Sequence, residues 1–169
     1  MFKEKAEPLF ESGTTIAKDL KMNLFNMNEQ SSLTQEEYFL VLLAVSTAKG
    51  NVPLVELAAD NLRALGTLSE EQLLEARQTP AIMGMLNSYY KFRHFLKKNQ
   101  VEREEAYGPA KLRMMSLGNP KLGKQNFELL ALAVSIVNGC EQCVVAHEDA
   151  LTKLGVTVDK LHDVVRLTA

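Results

Sequence analysis

The chain predicts an all-α fold, a helical bundle with an internal two-fold repeat, and three observations lead there. Alternating β-branched runs bounded by tight turns, the mark of strands, are absent from the 169 residues. Helix caps and 3.6-residue apolar periodicity recur instead. The stretch from Leu40 to Gly66 also aligns with the stretch from Leu129 to Gly155 at a constant offset. The length fits a single domain, 1–169, and suffices to bury a substantial core.

Taken in order, helices are expected over 8–24, over 35–49 and 52–65 with Gly50 between them, and over 69–78 and 80–98. The last of these carries Ala81 to Leu96, a long apolar and aromatic run. Two short helices, 101–107 and 109–116, follow. The helix at 125–138 contains Phe127 to Val137, apolar nearly all round, as expected of a helix enclosed in a core. Gly139 ends it, and helices over 141–154 and 158–167 complete the chain.

In the repeat, Ala44-Val45-Ser46 meets Ala133-Val134-Ser135, Gly50 meets Gly139, and Leu65-Gly66 meets Leu154-Gly155. One extra residue near Thr67 then shifts the register, so that Leu73 pairs with Leu161. Two similar halves, about 34–98 and 123–169, are expected to pack about a pseudo-twofold axis. The second half stops at Ala169, where the counterpart of the long 80–98 helix would begin.

The repeat acts as an internal control. A purely structural demand for a side chain should appear in both halves. Where the second half has Glu128, Cys140, Cys143 and His147, the first has Phe39, Asn51, Leu54 and Ala58. The four polar groups therefore read as additions for function.

Cys140 and Cys143 are the only cysteines, and His147 follows the second by four residues. At about 100° per residue the three fall within roughly 60° on one side of a helix. A thiolate needs its pKa lowered by a helix N-terminus, a cation or a partner thiol. A helix beginning near Cys140, just after Gly139, would aim free backbone N–H groups at both sulfurs. The imidazole can take the departing proton. A bridge over so short a loop removes little chain entropy, which suits a bond made to be broken and remade. The pattern leaves open half a zinc site, although no second cysteine pair exists and His94 and His162 lack ligand spacing. It also leaves open inert buried packing.

Glu128 sits in the apolar 127–137 run, where a carboxylate is costly without a partner. Either it lies in the first turn, where negative charge suits the helix dipole, or it orients or accepts protons from His147.

Glu128, Cys140, Cys143 and His147 in this spacing resemble the E-x11-C-x-x-C-x3-H signature of the alkyl hydroperoxidase AhpD family, within the carboxymuconolactone decarboxylase-like superfamily. Ala81-Ile82-Met83-Gly84-Met85, the run from Tyr89-Tyr90 to Phe95-Leu96, Asn119-Pro120, Asn126-Phe127-Glu128-Leu129 and Val145-Ala146-His147-Glu148 resemble family segments in the same order. The position before the second cysteine, often histidine in the family, is Gln142.

The resemblance implies an AhpD-like domain assembled as a homotrimer, with antioxidant peroxidase activity on small organic hydroperoxides. It implies that Cys143 attacks the peroxide and becomes a sulfenic acid, that Cys140 resolves it as the proton-donating partner thiol, and that His147 and Glu128 form the proton relay. On the residues alone the order of the two thiols stays open, since Cys143 is one turn from His147 but Cys140 is nearer the helix start. The resemblance further implies no tightly bound cofactor, reduction by the dihydrolipoyl group of a lipoyl carrier protein, and re-reduction of an AhpC-type peroxiredoxin. Rival readings are a thiol-disulfide adaptor without peroxidase activity, a superfamily decarboxylase, and a non-enzymatic helical module.

Net charge is −2 with both signs interspersed, so no nucleic-acid footprint is present. No apolar run near 18 residues and no signal-peptide pattern occur, which makes a cytoplasmic address without a membrane span the expectation. Two cysteines in that compartment read as redox rather than structural. Met83, Met85, Met114 and Met115 are expected to fill core gaps or an interface. Lys91, Arg93, His94, Lys97 and Lys98 make a basic face on the long helix, mostly solvated, with some of it steering an acidic lipoyl partner.

Overall fold

Eight α-helices make up the fold in a computed structural model that describes residues 2–169. They are α1 (Phe2–Ala6), α2 (Thr15–Gln30), α3 (Gln35–Lys49), α4 (Val52–Leu65), α5 (Glu70–Lys98), α6 (Lys124–Val137), α7 (Glu141–Lys153) and α8 (Val158–Thr168). Three 3₁₀ turns interrupt the connections, and the described residues contain no strand. The all-α class read from the sequence is the observed one.

Two helices form the centre. α3 is buried at every residue from Glu37 to Ser46 and α6 at every residue from Phe127 to Ser135. Each is apolar all round because each is surrounded: α3 by α4, α5, α6 and α8, and α6 by α3, α5, α7 and α8. Capping boxes at Thr34 and Ser69 fix the starts of α3 and α5. A half-buried ion pair ties α8 to the centre, with Lys160 Nζ 2.8 Å from both carboxylate oxygens of Glu37.

Helix starts follow the internal alignment. α6 begins at Lys124, which the repeat sets against Gln35 at the start of α3, and α7 begins at Glu141, set against Val52 at the start of α4. After the one-residue shift, Val158 of α8 meets Glu70 of α5.

Several expected elements differ. The helices expected over 69–78 and 80–98 are one helix, α5, with Pro80 inside it. Proline removes an N–H and crowds the carbonyl one turn back, so it usually marks a boundary; here Thr79 and Pro80 are buried against the core, and packing outweighs that local cost. The helix expected over 8–24 is instead α1, a 3₁₀ turn over Glu7–Phe10, and α2. The left-handed Gly13 (φ 69°) breaks the chain there, and Thr14 caps α2 by accepting from the Ala17 amide at 3.2 Å. Phe2 anchors α1 by edge contacts with Phe25, Tyr38 and Phe39.

The helices expected over 101–107 and 109–116 are absent, apart from single 3₁₀ turns at Glu105–Tyr107 and Met115–Leu117. Arg93 of α5 holds this segment. Its guanidinium donates to Glu104 Oε1 at 2.7 Å and to the Gly108 carbonyl at 2.6 Å. Those tertiary bonds replace the intrahelical ones that a short segment could not sustain alone.

Packing and helix propensity can be separated by two substitutions. Leu130→Ala, at a fully buried position of α6, should cost about 3 kcal/mol. Gly84→Ala, inside α5 where an added Cβ meets nothing within 4 Å, should add about 0.5–1 kcal/mol. Urea denaturation of the three proteins measures both.

Candidate active site

The site begins with the turn between α6 and α7. Gly139 adopts φ 63°, and its amide donates to the Ile136 carbonyl at 3.0 Å while the Cys140 amide donates to the Ser135 carbonyl at 3.0 Å. This is a helix-ending motif that needs a left-handed residue. An added Cβ at Gly139 would meet nothing within 4 Å, so glycine is required there by backbone conformation and not by space.

A buried polar ladder braces the turn from α5. Asn87 donates to Ser135 Oγ at 3.0 Å, Asn138 donates to Asn87 Oδ1 at 2.9 Å, and Lys91 Nζ donates to the Asn138 carbonyl at 2.9 Å. Sequence reasoning missed Asn87. The signal was a polar residue in an apolar helix, the same signal that marked Glu128. Lys91 and Arg93, read as part of a solvated basic face, are structural groups: one caps the end of α6 and the other holds the 104–108 segment.

Cys140 occupies the N-cap of α7, and Cys143 lies in its first turn. The two form a disulfide with Cα atoms 5.3 Å apart. The first half offers a direct comparison. Asn51, the counterpart of Cys140, caps α4 by accepting from the Leu54 amide at 3.3 Å. Cys140 makes no such bond, so the first-turn amides of α7 have sulfur where α4 has a capping oxygen. Cys140 is 1% exposed and Cys143 8%. The second sulfur is the one nearer the surface.

Glu128 is not in the first turn of α6; it lies one turn in, and the residue is 5% exposed. Its Oε2 is 2.6 Å from His147 Nδ1 and its Oε1 is 2.7 Å from Lys124 Nζ. Burial pushes its carboxyl pKa up, but hydrogen bonds and charge from His147 and Lys124 outweigh that and hold it below 4.5. An ionised carboxylate only accepts, so His147 Nδ1 carries a proton and Nε2 is the nitrogen not engaged by Glu128.

Cys143 and His147 open onto one cavity of about 300 Å³. Met83, Leu86, Met114 and Leu117 line its apolar wall, and Tyr90, Gln142 and Ala146 complete the lining. Of the four methionines read as gap fillers, Met83 is buried at the core while Met85 and Met115 are exposed. No hydrogen bond joins His147 to either sulfur in this disulfide form; the shared cavity is what connects them. Glu128, Cys140, Cys143 and His147 are thus close together in space. Glu141 begins α7 in contact with α5, 3.2 Å from His94 Nε2 and 3.4 Å from Lys98 Nζ. Among the described residues no group of three or more His, Cys, Asp or Glu is placed to hold a metal ion. No helix among them is long and apolar enough to cross a membrane.

Residues 104–169 match the model of the Carboxymuconolactone decarboxylase family. The chain is 43% identical over 153 residues to the alkyl hydroperoxide reductase AhpD of Maricaulis maris, covering 90% of this chain and 85% of that protein. It is 37% identical over 163 residues to the protein of the same name from Rhodopseudomonas palustris, covering 96% and 87%. The corresponding protein of Coxiella burnetii is 38% identical over 156 residues, covering 90% and 85%.

The carboxylate of Glu128 yields a pH prediction with a definite sign. Because its pKa in the folded protein is lowered from 4.5, its contribution to stability is complete above that value and is lost as pH falls through the folded pKa. Glu128→Gln should therefore destabilise most near neutrality, and the gap to the parent should close as pH falls from about 5 to about 3. Denaturant melts across that range check this; a gap that stays constant or widens in acid contradicts it.

Proposed function

The chain belongs to the AhpD family of the carboxymuconolactone decarboxylase-like superfamily, and from that membership we propose that it is an alkyl hydroperoxide reductase working through the Cys140–Cys143 pair. One observation carries the reading: the more exposed sulfur of a bridged pair shares a cavity with an imidazole whose other nitrogen is held by a buried carboxylate.

In the reduced protein, His147 Nε2 takes the Cys143 proton across the cavity, directly or through one water. Glu128 stabilises the imidazolium so formed, as the third member of a nucleophile, base and orienting group. The Cys143 thiolate attacks the terminal oxygen of a hydroperoxide, and the O–O bond breaks. Cys143 becomes a sulfenic acid, and the alkoxide takes the proton from His147 and departs as an alcohol. The Cys140 thiol then attacks the sulfenic sulfur, releasing water and forming the disulfide. Methionine and leucine side chains around the cavity favour a hydroperoxide with an apolar organic group.

Two electrons must return. A dithiol reductant entering the cavity reaches Cys143 Sγ first, since Cys140 is almost completely buried. Cys140 then leaves as a thiolate at the uncapped N-terminus of α7, where unpaired amides favour the anion. A second thiol of the reductant closes its own disulfide and frees Cys143. The dihydrolipoyl group of a lipoyl carrier protein has this chemistry. The same dithiol can be passed on to reduce an AhpC-type peroxiredoxin, and assembly as a homotrimer belongs to the same reading. On α5, Lys98 already faces Glu141, whereas Lys97 forms no ion pair among the described residues and is free to steer an acidic carrier.

Cys143→Ser should abolish peroxide consumption with dihydrolipoamide as reductant. Cys140→Ser should still accumulate a sulfenic acid on Cys143, detected by dimedone labelling and mass spectrometry. The reverse pattern exchanges the two roles, and labelling of neither defeats the reading. Lys97→Glu should slow reduction by a lipoyl carrier protein several-fold at low salt and weaken its salt dependence, while leaving reduction by free dihydrolipoamide unchanged. Identical carrier kinetics would remove Lys97 from the docking surface.

A further inference from the structure

Lys124 is the first residue of α6, and its Nζ lies 2.7 Å from Glu128 Oε1, the oxygen that does not face His147. We propose that Lys124 is a positioning residue for the proton relay: it fixes the Glu128 carboxylate and, through it, His147, so that the relay keeps working as the pH falls.

The placement of Lys124 is otherwise unfavourable. A cation at a helix N-terminus opposes the dipole. α6 itself does not offset it, because its N-cap is Gly123 with no side-chain cap and its first turn has no acidic residue; the carboxylates nearest that turn, Glu36 and Glu37 of α3, accept from Asn126 and Gln125. Lysine one turn before glutamate is also the less favourable order for a pair on one helix. The counterpart of Lys124 in the first half is the neutral Gln35, and that of Glu128 is Phe39. The pair thus occurs together in the half that holds the cysteines and is absent from the half that does not.

Geometry gives the pair its effect. Glu128 has two oxygens and two partners, one on each. With Oε1 fixed by Lys124, the carboxylate plane is set and Oε2 is aimed at His147 Nδ1, which holds the ring so that Nε2 faces the cavity. Charge acts in the same direction. A neighbouring cation disfavours the protonated imidazole and favours the thiolate, so base and nucleophile both stay deprotonated to lower pH, and Lys124 supplies that cation without entering the cavity. The charged groups bearing on Glu128 are Lys124 on its own helix and His147 on α7. From α5 the titratable group lining the cavity beside His147 is Tyr90, and among the described residues neither Glu128 nor His147 bonds to any ionisable group of α3 or α8.

The assignment rests on the proposed relay, but its test does not require peroxidase activity. In a Cys140→Ser background, the rate of Cys143 alkylation by iodoacetamide is followed from about pH 5 to about pH 9, which reports thiolate formation alone. Lys124→Met should move the acid limb to higher pH by about half a unit to one unit, the Coulombic shift expected of a partner whose side chain is 51% exposed. Lys124→Arg should restore the parent curve, because charge and reach are kept. With Glu128→Gln also present, Lys124→Met should add no further shift. A Lys124→Met profile that superimposes on the parent overturns the proposal. So does an Arg variant displaced as far as the Met variant, or an undiminished shift when Glu128 is replaced. Absence of peroxidase activity in all variants, with the alkylation shifts intact, would count against the proposed reaction and not against Lys124.

Discussion

A carboxylate enclosed in hydrocarbon is the constraint around which the second half of this protein is organised. Burial alone pushes the Glu128 carboxyl pKa up. Its two oxygens are instead met by a lysine from its own helix and an imidazole from the next, and the acid stays ionised. From Phe127 to Ser135 α6 is buried among α3, α5, α7 and α8, so the carboxylate cannot turn away without leaving its partners. The packing that makes the group expensive also keeps it directed at His147.

The two halves show what the scaffold needs and what chemistry adds. Both central helices end in a left-handed glycine, Gly50 and Gly139, and in both the next amide bonds back to a buried serine carbonyl, Ser46 or Ser135. Beyond that point they diverge. Asn51 satisfies the first turn of its helix with an amide oxygen, whereas Cys140 puts a sulfur in the same place. The second half gives up a cap, an interaction usually worth about 1 kcal/mol. In exchange the sulfur sits where unpaired N–H groups favour its anion. The Asn87, Asn138 and Lys91 ladder holds this turn against α5, so that a weakened helix start remains well placed.

Helices whose beginnings and ends carry strong local signals were legible in the sequence. α3 and α4 lie over 35–49 and 52–65 as expected, because a capping box and left-handed glycines leave little freedom. Glu128, Cys140, Cys143 and His147 were legible because the repeat subtracts structural demand and leaves them as a residue. What was not legible depends on partners distant in sequence. Pro80 looks like a boundary until the core that encloses it is known. The 101–116 segment has helical composition but is held by Arg93, a residue nothing local connects to Gly108. Lys124 precedes Glu128 by four residues, yet only the direction in which Glu128 is buried makes it more than a surface pair.

The depth of the two sulfurs gives the reaction a single point of contact. Cys143 borders the cavity and Cys140 is screened behind it at the helix start. In the proposed reaction a peroxide and a reducing thiol would approach by the same opening, so both would meet the same sulfur, first as thiolate and later as half of the bridge. On that reading Cys140 meets neither and is the internal partner, condensing in one direction and leaving in the other. Both of its roles improve as its anion is stabilised, and the N-cap position supplies that stabilisation. On the same reading His147 need only exchange a proton with Cys143 and the departing alkoxide, both inside the cavity it lines. The relay therefore has no need to reach Cys140, and the backbone of α7 does for one sulfur what Glu128 and His147 do for the other.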